Sequence, residues 1–230
     1  MTTILFDIDG TLINTGGAGK VAFARTFREL FGVNEIAANV GFAGRSDRAI
    51  AFELMETHGI EPSIDNWQQF TAAFLPQLER VLPQSRGEIL PGVVELLDQI
   101  ALVDHASLGL LTGNIALGAK AKLLHYQLYD RFCFGGYGDD WTDRSDIAIA
   151  ALKAARAHPP GDSAPSGNVI VIGDTPADIT CARAIDAYAV AVATGGASFE
   201  ELRRAEPDLL LRDLTDSHEL LRQIRGAAAA

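Results

Sequence analysis

Two carboxylates stand two residues apart where a short apolar run, Thr3-Ile4-Leu5-Phe6, gives way to Asp7-Ile8-Asp9-Gly10-Thr11-Leu12. Side chains alternate along a strand, so positions i and i+2 point the same way and both carboxylates can converge at the strand's C-terminal end. A polar turn would account for such residues, since Asp and Gly are common in turns. Two like charges held together ask for more, either a cation or a shared proton. A carboxylate beside a bound divalent cation is a nucleophile suited to phosphorus, and a second carboxylate can hold a proton for the leaving oxygen.

Three further stretches carry candidate chemistry. In Leu110-Leu111-Thr112-Gly113-Asn114 an apolar strand ends in a hydroxyl and a glycine where a helix begins, a place where Thr112 and nearby amides can meet phosphate oxygens. Thr112 or Asn114 can equally serve as an ordinary helix cap. In Asp143-Arg144-Ser145-Asp146, Asp143 reads as an N-cap, which puts Arg144 in the first helical turn. The helix dipole disfavours a cation there, so the position calls for an anionic partner. Lys122, eight residues past Asn114, is the competing cation, and a solvated helix lysine explains it about as well. In Val169-Ile170-Val171-Ile172-Gly173-Asp174-Thr175-Pro176-Ala177-Asp178, Thr175, Pro176 and Asp178 form a helix start that accounts for Asp178. That start leaves Asp174 unexplained at the end of an apolar strand. Magnesium takes oxygen ligands, and Asp7, Asp174 and the backbone carbonyl of Asp9 would suffice to hold it.

These residues need elements to position them. Phe23, Phe27, Leu30 and Phe31 recur at helical spacing before Gly32. A second helix is expected from Asp47 to His58, and a third from Ile64 to Leu82 with Trp67, Phe70, Phe74, Leu78 and Val81 on one stripe. Residues 16–87 thus read as an all-helical module inserted after the first strand. From Pro91, expected in the first turn of a helix through Ile100, strands alternate with helices. Strands are expected at Ser107–Leu111, Phe132–Gly135, Asn168–Ile172, Ala187–Val192 and Asp208–Leu211, and helices at Ile115–Tyr126, Asp146–Ala157, Ala177–Ile185 and Phe199–Arg204. Such alternation means an α/β fold with a parallel sheet covered on both faces. Residues 158–167 read as a loop and the terminal alanines as frayed. Gly16-Gly17-Ala18-Gly19-Lys20 mimics a phosphate-binding loop, but Asn14 and Val21 occupy positions where that motif needs Gly and Ser or Thr.

The chain has 230 residues, 48% of them hydrophobic and 21% charged, with a formal charge of -11. That charge argues against a nucleic-acid backbone or an anionic membrane as partner. No apolar run reaches the roughly 18 residues of a membrane span, and the start of the chain has no signal-like segment, so a cytoplasmic home is expected. Cys133 and Cys181 read as free buried thiols. The five histidines show no ligand spacing.

The four stretches around Asp7, Thr112, Arg144 and Asp174, in this order and separated by strand–helix units, resemble the motifs of the haloacid dehalogenase superfamily. The helical insertion resembles the cap of phosphoglycolate phosphatase-like members. The resemblance implies a Rossmann-like core made of residues 1–15 and 88–226, with a cap at 16–87. It implies Asp7 as nucleophile, Asp9 as general acid and base, and Arg144 in place of the usual lysine. Gly10, Thr112, Gly113 and Asn114 would meet phosphate, joined by Arg45 on the cap loop and by Lys122. Mg2+ would sit on Asp7, Asp174 and the Asp9 carbonyl, with Asp178 acting through water or from behind these ligands. The expected reaction is hydrolysis of a small phosphorylated metabolite through an aspartyl-phosphate. A phosphomutase of the β-phosphoglucomutase kind, or a phosphate-binding regulatory protein with little turnover, are the alternatives.

Overall fold

The computed structural model describes residues 2–158 and 167–226. The first strand, β1 (Thr2–Phe6), is fully buried and is followed by a two-residue strand, β2 (Ile13–Asn14). Three helices come next: α1 (Ala18–Phe31), α2 (Asp47–Thr57) and α3 (Ile64–Val81). A second two-residue strand, β3 (Glu88–Ile89), pairs antiparallel with β2. The chain then runs α4 (Val93–Ala101), β4 (Ala106–Leu111), α5 (Ala116–His125), β5 (Phe134–Gly136), α6 (Arg144–Ala157) and β6 (Val169–Gly173). It ends with α7 (Pro176–Ala184), β7 (Tyr188–Val192), α8 (Phe199–Arg204), β8 (Leu209–Leu211) and α9 (His218–Gly226).

The main sheet has the order β5-β4-β1-β6-β7-β8, with every neighbouring pair parallel. Period-2 alternation sorts its side chains. Ile4, Phe6, Leu110, Ile170 and Ile172 pack with α4, α5 and α9 on one face, while Leu5, Leu111 and Val171 pack with α6, α7 and α8 on the other. From β1 the chain crosses to β4 and β5 on one side and returns to β6 on the other, which makes the C-terminal ends of β1, β4 and β6 the switch point where such sheets bind ligands. Register enforces this: Phe6 aligns with both Leu110 and Ile172, so the segments beginning at Asp7, Thr112 and Asp174 leave the sheet close together.

The three helices between β2 and β3 form their own apolar cluster around Phe23, Phe27, Phe70, Phe74 and Leu78, and the stripe expected on α3 is buried throughout. Helix α3 runs through Pro76, which has no N–H to give to the helix ladder.

Several expectations shift. Pro91 lies outside α4, which starts at Val93 because Gly92 takes a left-handed conformation (φ 80°) as its N-cap. Strand β5 begins two residues later than the periodicity suggests. Cys133, read as buried, is exposed, while Cys181 is buried. Strands β2 and β3 and helix α9 were not foreseen; two-residue pairings carry no period to detect. The loop expected at 158–167 and the terminal alanines fall largely or wholly outside the described residues. Among the described residues, no helix is long and apolar enough to cross a membrane.

Candidate active site

Asp7 continues β1, with its N–H donating to the Ile172 carbonyl at 2.9 Å. It is 6% exposed, and Asp174 and Asp178 are buried beside it. Carboxylate oxygens of the three lie within 4.8 Å of one another. One guanidinium faces them. Arg144, buried in the first turn of α6, pairs closely with Asp178 and stands 3.5 Å from Asp7 Oδ1. Three buried carboxylates against one cation leave the cluster short of positive charge. Burial pushes the Asp7 carboxyl well above its usual range, eased by Arg144 and reinforced by Asp178 and Asp9. Burial and the neighbouring Asp7 and Asp178 do the same to Asp174. Arg144 is held in its charged form: burial opposes the charge, but Asp178 and Asp7 outweigh it. Its Nε is buried without a hydrogen-bond partner.

Asp178 uses both oxygens within the protein. Oδ1 takes Arg144, and Oδ2 accepts from the Thr175 N–H at 3.0 Å and the Thr175 hydroxyl at 2.6 Å. The helix-start reading of Asp178 and its neighbourhood to the cluster therefore hold together, because one oxygen serves each. Asp174 is crowded by design: Gly10 (φ 85°) and Gly195 approach it so closely that a Cβ at either position would overlap its carboxylate. The Thr194 hydroxyl donates to the Gly10 carbonyl at 2.6 Å and fixes that turn.

Asp9 faces another cation. Its Oδ2 pairs with Lys122 Nζ at 2.6 Å and accepts from Asn114 Nδ2 at 2.8 Å. Lys122, on α5, is 4% exposed and also donates to Asn114 Oδ1 at 2.6 Å. Thr112, fully buried, accepts from the backbone and side-chain nitrogens of Asn114. Arg144 and Lys122 posed a choice in the sequence, yet each has its own carboxylate. The surface reading of Lys122 is excluded by its burial. The repulsion between Asp7 and Asp9 is also divided between two partners, so the deficit of positive charge resides in the cluster of Asp7, Asp174 and Asp178.

The insertion closes over these groups. Asp47 N donates to the Gly113 carbonyl at 2.7 Å, and Ser46 Oγ donates to the Thr142 carbonyl at 3.2 Å. A Cβ at Gly113 would overlap the Arg45 carbonyl. Arg45 itself pairs with Glu53 and donates to the carbonyls of Gly41 and Ala49. It borders the same cavity as Asp7, with its guanidinium engaged inside the insertion. That cavity, about 380 Å3, is lined by Asp7, Asp9, Gly10, Thr112, Arg144 and Asp174 on the sheet side.

Asp47, Thr194 and Gly195 were missed in the sequence. Asp47 reads there as a helix N-cap candidate beside Arg45, and only its burial and its contact with Ile115 at the start of α5 set it apart; nothing in the loop after β7 signals its approach to Gly10 and Asp174.

Residues 4–192 match the family model described as haloacid dehalogenase-like hydrolase. A probable phosphatase, IndB, from Dickeya dadantii is 25% identical over 95% of this chain and 94% of its own length. A phosphoglycolate phosphatase from Synechococcus elongatus is 28% identical, covering 97% and 99%. Among solved structures, CbbY from Rhodobacter sphaeroides in complex with phosphate superimposes with a TM-score of 0.73 at 18% identity, over 94% of this chain and 96% of that one, a likeness of fold. The chain belongs to the haloacid dehalogenase-like hydrolase family.

Proposed function

From that membership we propose that the protein is a magnesium-dependent phosphatase of small phosphomonoesters, working through an aspartyl-phosphate on Asp7. The observation that carries this reading is Asp7 itself, buried at the end of a central strand between Arg144 and Asp174 and open to a cavity of about 380 Å3. The full-length relatives named as phosphatases support it. The donor set suits a hard divalent cation, because the carboxylates of Asp7 and Asp174 are short of counter-charge. With the Asp9 carbonyl they would hold the ion, and Asp178 would act through Arg144. When bound, magnesium supplies neutralisation of charge on the phosphoryl oxygens.

The chain's own groups divide the remaining work. Asp7 Oδ attacks phosphorus as the ester oxygen departs, and Asp9 delivers a proton to that oxygen. Asp9, then ionised, takes a proton from the water that cleaves the acyl phosphate and regenerates Asp7. Lys122 and Asn114 keep the Asp9 carboxyl oriented through both steps. Arg144, which borders the cavity beside Asp7, meets the equatorial oxygens. Thr112, Gly113 and Gly10 border the phosphoryl position, and the loop of residues 44–47 helps exclude water. Residues 16–87 act as the cap and residues 1–15 with 88–226 as the core.

Asp7→Asn should abolish phosphate release from p-nitrophenyl phosphate, and EDTA should do so reversibly on magnesium addition. Undiminished hydrolysis by the variant would remove Asp7 from the nucleophile's role.

A further inference from the structure

The cavity above Asp7 has two unlike walls. The sheet side is polar, as described. The insertion side and β2 present Ile13, Phe23, Phe42, Ile50 and Phe74, with Asn14 and Thr15 at the edge of that wall. Its volume, about 380 Å3, lies near the lower end of the roughly 300–1,000 Å3 usual for ligand pockets, so the group carried by the phosphate is compact.

Charge around this space is already allotted. Of the four cations that border it among the described residues, Arg144 faces Asp7 and Asp178, Lys122 pairs with Asp9, and Arg45 pairs with Glu53. The fourth, Lys20, is exposed and stands 5.8 Å from the centre of the Phe42 ring, where the ring face attracts it. Asp47 adds a buried carboxylate to the insertion side. An anionic group on the far end of a substrate would give up water to lie against phenylalanine and isoleucine, with no inward cation uncommitted to receive it. An alkyl or aryl group there loses nothing and gains apolar burial and aromatic contact.

We propose that the substrate carries its phosphate as the sole anionic group, on a compact and predominantly apolar alcohol, with Phe42 as the residue that selects for it. This rests on the phosphatase reading above. Phe42 is the half-buried member of the apolar wall, packed edge-on against Phe23 with ring centres 5.2 Å apart, so its replacement alters the wall without opening the helical core.

The test compares hexyl phosphate with 6-(phosphonooxy)hexanoate, which share a chain length and a primary leaving oxygen and differ by a terminal carboxylate. With magnesium present, the wild-type protein should favour hexyl phosphate in kcat/KM by about tenfold or more, equivalent to about 1.4 kcal/mol. Phe42→Lys should narrow or reverse that ratio, and Phe42→Ala should lower kcat/KM for hexyl phosphate alone. Equal or faster turnover of the carboxylate by the wild-type protein, lost in Lys20→Ala, overturns the inference and makes Lys20 the receiver of a second anion. Acetyl phosphate and p-nitrophenyl phosphate, assayed alongside, separate the two failures. If these turn over while the carboxylate substrate is preferred, only the substrate class falls; phosphate release from none of the four overturns the phosphatase reading with it.

Discussion

Asp7 and Asp9 sit two positions apart and meet different cations, and that division sets what each substitution should do. Arg144 is the counter-charge of a buried trio, so Arg144→Ala strands carboxylates that have no other cation among the described residues. Losing one side of a buried ion pair costs about 3–5 kcal/mol, and urea unfolding without metal should report a loss of that size. A change within a few tenths of a kcal/mol would mean that the trio titrates away its charge instead. Lys122→Met leaves Asp9 partly exposed and able to recruit water, so stability should fall less while kcat/KM drops by at least tenfold through a misplaced Asp9. Arg144 was legible in the sequence because a cation in a helix's first turn has no local reason to be there. Lys122 was not separable from a surface lysine, since its burial depends on the approach of the turn after β1, at Asp9, to α5, a tertiary fact with no local trace.

At the scale of elements, α5 has no capping side chain of its own. Its first amides are taken from elsewhere: Ile115 N donates to Asp47 Oδ2 at 2.8 Å, and Ala116 N to Asp139 Oδ2 at 2.7 Å. One of those carboxylates comes from α2 in the insertion, so the helix that carries Lys122 is finished only when the insertion is docked. Burial pushes the Asp47 carboxyl up to about 6, with Lys122 pulling the other way. Its folded value stands above the unfolded one, so the stability it contributes is greatest near pH 4 and is lost as pH rises toward 6. Asp47→Asn removes this titration while keeping an oxygen for Ile115. Between pH 4 and 7, wild type should lose up to about 3 kcal/mol relative to the variant by urea unfolding; parallel pH profiles would contradict it. Gly113→Ala should push the Arg45 carbonyl away and lower stability by about 1–3 kcal/mol, with activity falling as the 44–47 loop lifts. The helices of the insertion were legible because Trp67, Phe70, Phe74, Leu78 and Val81 keep a strict stripe. The capping of α5 by α2 was not, because one aspartate, Asp47, carries it and its partner Ile115 lies 68 residues away.

For the whole molecule, a formal charge of -11 and a buried acidic cluster act in the same direction, and a divalent cation relieves both. Magnesium should raise the Tm, and the increment should shrink as pH falls from 8 to 6, because Asp7 and Asp174 hold protons above the usual carboxylate range and a proton competes with the ion. Calorimetry across that range tests it, and an increment independent of pH would count against ligation by these two groups. The positions of the main strands and their parallel sense were legible from periodicity and alternation with helices, while their order in the sheet and the pairing of β2 with β3 were not. That ribbon joins Ile13 to Ile89 and Asn14 to Glu88, so the two ends of a stretch of more than seventy residues leave the sheet side by side. To the strands, such a stretch is interchangeable with a short loop: a chain in which residues 16–87 are replaced by a brief Gly-Ser linker should still unfold cooperatively. By the same token, helical modules of other lengths should be exchangeable at this ribbon without re-registering a single strand of the sheet.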